Sequence, residues 1–166
     1  MHSAYPTPIE PRELRDVLGN FATGVAVIAT CGEEGQPLGL AVNSFASVSL
    51  DPAEILWSIV SNAPSRPAFE RHGAFAVNIM PEDLKEQTLR FAEPVEDKFE
   101  GVEWKRGWRE VPVLQEALAT LECDVKQMMP CGDHHIVVGS VRAIDRRDGN
   151  PLVFFRGQFT SLGSTL

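Results

Sequence analysis

A short stretch of the sequence combines an amide and several hydroxyls with small side chains. It runs from Ala41 to Ser49 and includes Asn43, Ser44 and Ser47. An amide and backbone N–H groups complement the carbonyl and N–H edge of a flat heterocyclic ring, and small side chains leave room for that ring. The same composition is typical of a polar strand corner whose serines face water. The residues alone leave both interpretations open.

A second polar stretch, Ser61-Asn62-Ala63-Pro64-Ser65-Arg66, precedes a segment that we predict to be helical. An arginine and the free N–H groups of a first helical turn both bind phosphate. Ser65 is equally suited to an ordinary N-cap, with Pro67 near the first turn. The two roles are compatible, and the residues alone leave both open.

A third stretch, Gly132-Asp133-His134, comes directly before a long β-rich segment. Glycine permits a tight turn there, and an imidazole can donate a hydrogen bond or stack beside a ligand. A single histidine in a turn is more often a solvated residue, and the adjacent His135 is an equally placed imidazole. Lys98 and Phe99 offer a cation and an aromatic ring after a predicted helix, although a solvated loop with one anchoring ring explains them as well.

Charge and cysteine content exclude several classes of protein. The net charge of −8 and fifteen scattered Lys and Arg residues argue against nucleic acid as a partner. No apolar run approaches the roughly 20 residues of a membrane helix, so we expect no membrane association. Cys31, Cys123 and Cys131 are odd in number and lack CxxC spacing, which predicts neither disulfides nor a metal site and suits a reducing cytoplasm.

The Pro- and Gly-bearing stretches are each short enough to be turns, which predicts one domain over residues 12–166. A flexible arm over residues 1–11 precedes it and does not resemble a signal peptide. A helix should follow Pro11 and stop near Gly24, a second should follow Ser65, and a third should run from Pro81 to Glu93. Strands are expected in residues 24–31, from 38, 45–50, 55–60, 74–80, 121–127, 134–145 and 152–155.

Most of these strands follow one another without an intervening helix. The pattern therefore predicts a mainly β fold, an antiparallel barrel with peripheral helices. GxGxxG, P-loop, HExxH and GxSxG motifs are all missing from the sequence, so a Rossmann nicotinamide site is not expected. Trp57 lies inside an apolar run and is assigned to the core.

Five short motifs, in order and with compatible spacing, resemble the flavin reductase-like family, the reductase components of two-component flavin-dependent monooxygenases. The resemblance covers about residues 12 to 163. It rests on PheAlaThrGlyVal at 21–25, AsnSerPheAlaSerValSerLeu at 43–50, PheAlaValAsn at 75–78, AspLysPhe at 97–99 and GlyAspHis at 132–134.

The resemblance implies a fold, cofactors and site residues. The fold would be an FMN-binding split β-barrel that usually forms a homodimer. FMN or FAD would lie in its cleft, with NADH or possibly NADPH held by Gly132, Asp133 and His134, and His134 would be the catalytic residue. The other cofactor-binding residues would be Asn43, Ser44, Phe45, Ser47, Val48, Ser49, Ser61, Ser65, Arg66, Lys98 and Phe99.

The implied activity is hydride transfer from the nicotinamide C4 to the flavin N5, with the protein supplying proximity and orientation. Reduced flavin would then pass to a partner monooxygenase in the cytoplasm. The main alternative is a carrier that keeps FMN tightly bound and reduces a protein or metal-complex acceptor. A barrel that binds haem or pyridoxal phosphate is disfavoured, because the cleft segments offer no haem ligand and few cations.

The sequence departs from the family pattern at three positions and leaves the choice of donor open. Pro67 stands where a Ser or Thr phosphate ligand is common, and Phe155 and Phe159 stand where tyrosines are common. Cations for the 2′-phosphate of NADPH are near His134 in sequence. They are Arg142, Arg146, Arg147 and Arg156.

Overall fold

A computed structural model describes residues 8–163, so most of the predicted arm over residues 1–11 lies outside the described residues. The helices are α1 (Pro11–Leu18), α2 (Arg66–His72) and α3 (Lys85–Ala92). The strands are β1 (Thr23–Gly24), β2 (Ala26–Cys31), β3 (Pro37–Val42), β4 (Ala46–Leu50), β5 (Ala53–Val60), β6 (Ala74–Ile79), β7 (Trp104–Arg106), β8 (Pro112–Leu114), β9 (Ala119–Cys131), β10 (His134–Arg146), β11 (Val153–Phe155) and β12 (Gln158–Thr160).

Seven of these strands form one antiparallel sheet in the order β3-β2-β6-β9-β10-β5-β4. Its two edge strands, β3 and β4, are joined by only the three residues 43–45. Four Cα steps span at most about 14 Å, so the two edges must lie close together at that end. The sheet is therefore rolled into a barrel that stays open between β3 and β4.

The apolar run of β2 is buried on both faces. Ala26 and Ile28 face the barrel interior with Trp57, whereas Val27 and Ala29 face a second core beneath α3. A strand covered on both faces has no polar side to alternate with, which is why this segment of the sequence lacks a period-2 pattern. The prediction that Trp57 belongs to the core is confirmed, since its side chain is fully buried.

Period-2 alternation is seen instead in β9, which contains the predicted strand over residues 121–127. Leu121, Cys123 and Val125 contact the barrel core, and Lys126 on the opposite face is exposed. The third helix expected from the sequence contains α3, where Thr88 and Phe91 are buried.

The bounds of several elements differ from the prediction, including those of the first helix and the first strand. The first helix ends at Leu18 rather than near Gly24, because the Asn20 amide donates to the carbonyl oxygens of Asp16 and Val17 at 2.9 and 3.1 Å. The predicted strand over residues 24–31 is two strands, β1 and β2. They pair with different sheets, β1 with β11 and β2 with β3 and β6.

The sequence prediction missed three short strands, β7, β8 and β12. β7 pairs with β8, and β12 pairs with β11 in a small sheet that also contains β1. These segments have only two or three residues each, too few to show an alternation of side chains.

Gly139 on β10 gives a direct test of barrel packing. A Cβ added at this position would lie 2.5 Å from Phe75 Cζ and 3.2 Å from Cys123 Cβ. Gly139→Ala should therefore lower the free energy of unfolding by about 1–3 kcal/mol through overpacking. Urea denaturation measures this effect. Gly24→Ala is the matched control, because a Cβ there meets no atom within 4 Å, and equal stability of the two variants would contradict the packing described.

Candidate functional site

His134 lies at the tip of the β9–β10 hairpin. Cys131 pairs with His134, so Gly132 and Asp133 form a two-residue turn in which Gly132 has a φ of +61°. Asp133 Oδ1 lies 2.7 Å from His134 Nδ1, and this hydrogen bond holds the pKa of the Asp133 carboxyl below its usual value. An ionised carboxylate accepts the hydrogen of Nδ1, so the His134 Nε2 atom is left to contact a ligand.

Ser61 connects the loop between β5 and α2 to this hairpin. The Ser61 backbone N–H donates to the carbonyl oxygen of Asp133 at 2.9 Å, and Ser61 Oγ lies 3.0 Å from His135 Nδ1. Arg66 Nε donates to the Ser61 carbonyl oxygen at 2.9 Å. The structure thus brings together Ser61, Arg66 and the Gly132-Asp133-His134 turn, which are far apart in the sequence.

Ser44 fixes the corner between β3 and β4. Its hydroxyl accepts a hydrogen bond from the Ser58 N–H at 3.0 Å and donates to the Ser58 carbonyl oxygen at 3.2 Å. Phe45 packs against the barrel core. The side chains of Ser44 and Phe45 therefore hold the corner in place. The remaining residue of the corner, Asn43, has an exposed polar side chain.

The corner lies close to the hairpin because both contact β5. Ser58 is two residues from Val60, which pairs with His134. By contrast, Ser47, Val48 and Ser49 follow β4 away from the corner, as the pairing of Ser47 with Ile55 shows. Val48 is half exposed, and the structure does not bring these three residues to the cavities described below.

A cavity of about 480 Å³ separates the start of β3 from the loop that follows α3. Ser65 lines it on one side and Lys98 on the other. Lys98 Nζ donates to the Phe91 carbonyl oxygen at 2.9 Å, and partial burial lowers the pKa of this amine. Phe99 is buried with its ring edge against Phe91, so it supports the cavity from the core.

Ser65 occupies the N-cap position of α2, yet its hydroxyl makes no capping hydrogen bond. The N-cap interpretation of this serine is therefore confirmed in position only. Its side chain borders the cavity instead of closing the helix end.

A second cavity of about 160 Å³ continues along β3. Ala92 borders both cavities, and Asn43 lies at the far end of the second one. We call the two together the β3 groove. It runs from Ser65 and Lys98 to Asn43 over about five residues of strand, or roughly 17 Å. Its walls in the second part are Val25, Ala41, Val42, Phe154 and Phe159.

The four arginines considered for the NADPH phosphate are not grouped around His134. Arg142 Nε donates to Asp124 at 2.7 Å, and Arg156 donates to the Asn20 side chain. Arg146 ends β10, twelve residues from His134 at its start, so strand rise alone separates them by about 40 Å in an extended strand. Arg147 follows directly. Closeness in sequence was a poor guide because β10 is long and continuous.

Two of the three cysteines, Cys31 and Cys123, are buried and are not expected to act as reactive thiolates. Burial raises the pKa of the Cys123 thiol to about 12 and raises that of Cys31 as well, so both stay protonated near neutral pH. Across residues 8–163, no three His, Cys, Asp or Glu side chains are grouped as a metal ion requires. None of the helices in that range is long and apolar enough to cross a membrane.

Ser44→Ala tests the assignment of this serine to the corner rather than to a ligand. The variant leaves the half-buried Ser58 N–H without its partner, and we expect a loss of about 1–2 kcal/mol in the free energy of unfolding. Urea denaturation measures it against Ser47→Ala, which removes an exposed hydroxyl from β4. A Ser44→Ala protein as stable as the wild type would contradict the assignment.

Comparison with known proteins identifies the family. The profile described as "Flavin reductase like domain" matches residues 18–163. This chain belongs to that family. The FMN reductase (NADH) SmoA of Agrobacterium fabrum is 39% identical over 158 residues, which cover 95% of this chain and 90% of SmoA. HsaB of Rhodococcus jostii, the reductase subunit of a flavin-dependent monooxygenase, is 37% identical over 155 residues, covering 93% of this chain and 79% of HsaB.

Comparison with a solved structure shows that the fold is also that of a flavin reductase. The NADH:FAD oxidoreductase SgcE6 of Streptomyces globisporus, in complex with NAD and FAD fragments, superposes with a TM-score of 0.87 at 30% identity. The alignment covers 95% of this chain and 98% of SgcE6. The predicted split-barrel fold and the predicted enzyme class, flavin reductase, are confirmed. The chain spans about half the length, 48%, of two other curated relatives, from Rhizobium meliloti and Acinetobacter baylyi.

The sequence interpretation missed part of the groove and one imidazole. The apolar wall contributed by β3 carries no motif, since Ala41 and Val42 are ordinary strand residues. His135 was treated only as a competitor of His134, although the alternation of a strand places neighbouring side chains on opposite faces and could have separated the two.

Proposed function

We propose that this chain is an NAD(P)H:flavin oxidoreductase that reduces FMN or FAD and supplies the reduced flavin to a partner monooxygenase. The β3 groove carries the proposal: it has polar groups at both ends and apolar walls between them. A flavin mononucleotide has the same distribution, with a phosphate at one end, a polar ring edge at the other and an apolar ring body.

The residues of the groove fit such a molecule. Lys98 uses one of its three donors on the Phe91 carbonyl oxygen, so two remain for a phosphate, and the Ser65 hydroxyl is not consumed by a helix cap. At the opposite end, the Asn43 amide faces a cavity lined by Ala41, where a ring edge has room. We therefore assign Lys98 and Ser65 to the phosphate and Asn43 to the ring edge.

His134 is assigned to the nicotinamide substrate. Asp133 orients its ring through Nδ1, which directs Nε2 outward, where it can accept a hydrogen bond from the carboxamide N–H group. When bound, the nicotinamide supplies a hydride from C4 and the flavin receives it at N5. The protein contributes orientation, because the hydride transfer itself requires no side-chain acid or base.

The openness of the groove favours exchange of the flavin with solution. Besides β3, its borders are residues 64–65, the end of α3 with the loop after it, Val25 and the small sheet, and Asn43 at its far end is exposed. A flavin that is a substrate must leave after reduction, whereas the alternative, an electron carrier, must retain its flavin. Gel filtration of the protein loaded with FMN separates the two: we expect FMN to elute apart from the protein, and co-elution at equal stoichiometry would favour the carrier.

We further propose that the protein is a homodimer that works in the cytoplasm. None of the described side chains of α1 is buried, and its apolar residues share one face by helical spacing. Leu14, Val17 and Leu18 are 45%, 63% and 62% exposed. A second copy of the chain would cover this face, since isolated proteins rarely leave such a patch in water.

Light scattering after gel filtration tests the dimer. We expect the wild type at twice the chain mass and Val17→Glu with Leu18→Glu at the monomer mass, because two charges would have to be buried in the interface. Arg12→Glu, on the same helix, is the control for added charge. A wild type of monomer mass would contradict the proposal.

A further inference from the structure

The structure places an imidazole against the loop that precedes α2, where the family motif does not require one. His135 follows the hairpin turn and is half-buried. Its Nδ1 lies 3.0 Å from Ser61 Oγ, and the two residues are 74 positions apart in the chain. The contact is therefore a tertiary one that joins β10 to the loop after β5.

Ser61 is held at three points by this arrangement. Its N–H donates to the carbonyl oxygen of Asp133, its carbonyl oxygen accepts from Arg66 Nε, and its hydroxyl meets His135. The first two contacts use backbone atoms and tolerate any side chain at position 61. Only the third depends on the serine and the histidine, so it alone can be specific to the function of the loop.

We propose that His135 is a positioning residue for flavin phosphate binding, acting through Ser61. The proposal rests on the proposed function, because it takes the loop of residues 61–66 to be the phosphate side of the flavin site. With the hydrogen on Nδ1, His135 donates to Ser61 Oγ, and the Ser61 hydroxyl keeps its own hydrogen to donate to a phosphate oxygen. The imidazole also fixes the loop that presents Ser65 to the β3 groove.

Flavin binding by variants tests this role, with FMN and riboflavin as paired probes. His135→Leu should raise the Kd for FMN about 3- to 10-fold, the effect of one neutral hydrogen bond. The Kd for riboflavin, which has no phosphate, should not change. His135→Asn can place an amide nitrogen near the position of Nδ1 and should restore FMN binding to within about twofold of the wild type.

Ser61→Ala completes a double-mutant cycle and does not depend on the folding of a histidine variant. If His135 acts through Ser61, the Ser61→Ala and His135→Leu effects on FMN binding will not add in the double variant. His72→Leu is the matched control: it removes another imidazole hydrogen bond, from His72 Nε2 to Arg109 O at 2.8 Å. His72 does not line the groove, so both Kd values should stay unchanged.

Several results would overturn the proposal. They are an unchanged FMN affinity in His135→Leu and Ser61→Ala, an equal loss for FMN and riboflavin, no recovery in His135→Asn, and additive effects in the cycle. Turnover of the wild type with NADH is measured separately. A wild type that binds FMN with this dependence on His135 but reduces none would defeat the proposed function and leave the positioning role intact.

Discussion

Replacing His134 by alanine is expected to lower kcat/KM for NADH about 10- to 100-fold while the Kd for flavin stays unchanged. The imidazole is held by the Asp133 carboxylate, so its Nε2 is fixed at the tip of the hairpin. A lost hydrogen bond that involves a charged or charge-oriented group costs about 1.5–3 kcal/mol, which corresponds to that range. Anaerobic stopped-flow kinetics with varied NADH, together with flavin fluorescence titration, separates the two effects.

Two further variants locate the effect of His134. Asp133→Asn keeps the imidazole but removes the charge that orients it, so a smaller loss in the same direction is expected. His72→Gln changes a histidine of α2 that contacts the Arg109 carbonyl oxygen and not the groove. Equal kinetics of His134→Ala and His72→Gln would show that His134 does not contact the donor.

Lys98→Met should raise the Kd for FMN by about 10- to 100-fold, since a charge-assisted hydrogen bond to phosphate contributes about 1.5–3 kcal/mol. Methionine preserves the length of the stem and the apolar contacts, so the change removes mainly the cation. At saturating flavin, the rate of hydride transfer should stay near that of the wild type. The measurement is a fluorescence titration at low and high ionic strength, and the loss should be smaller at high salt.

Lys105→Met is the control for Lys98→Met, because Lys105 is an exposed lysine on β7 outside the β3 groove. Lys98→Arg keeps the charge and should recover much of the affinity. If Lys98→Met and Lys105→Met bind FMN equally well, the phosphate end of the groove is assigned to the wrong cation.

The fold was predictable where side-chain patterns are local. β9 alternates, α3 carries a buried stripe, and Trp57 lies in a continuous apolar run, so each of these elements can be identified from a few neighbouring residues. The five ordered motifs indicated the family, which the comparison confirmed. The short strands β7, β8 and β12 depend on their partners and lack such a pattern.

The site was harder to predict because the roles of its polar groups are decided by tertiary contacts. Ser44 is expected to contact a ligand, and its hydroxyl is also held by Ser58 on β5, a tertiary contact that the sequence does not encode locally. Phe99, which is expected among the cofactor-binding residues, is a buried ring that also lines the β3 groove. Ser61 and His135 meet across 74 positions, and only the folded barrel brings them together.

The backbone of the loop at residues 109–110 was also not predictable from the local sequence. Arg109 and Glu110 both have positive φ values, 49° and 68°, without being glycine. Long-range hydrogen bonds hold them there, from Cys31 Sγ to the Glu110 carbonyl oxygen and from Arg109 to the Gly73 carbonyl oxygen. Such a conformation persists only when the surrounding structure compensates for its strain, so local sequence could not have predicted it.

The most direct test of the central claim is anaerobic stopped-flow absorbance, with NADH and a several-fold excess of free FMN or FAD over protein. If the chain treats flavin as a substrate, the flavin band should bleach completely, with many flavins reduced per protein molecule. Bleaching that stops after one flavin per chain would contradict exchange and identify an electron carrier. No bleaching with NADH or NADPH and either flavin would contradict the proposed activity itself.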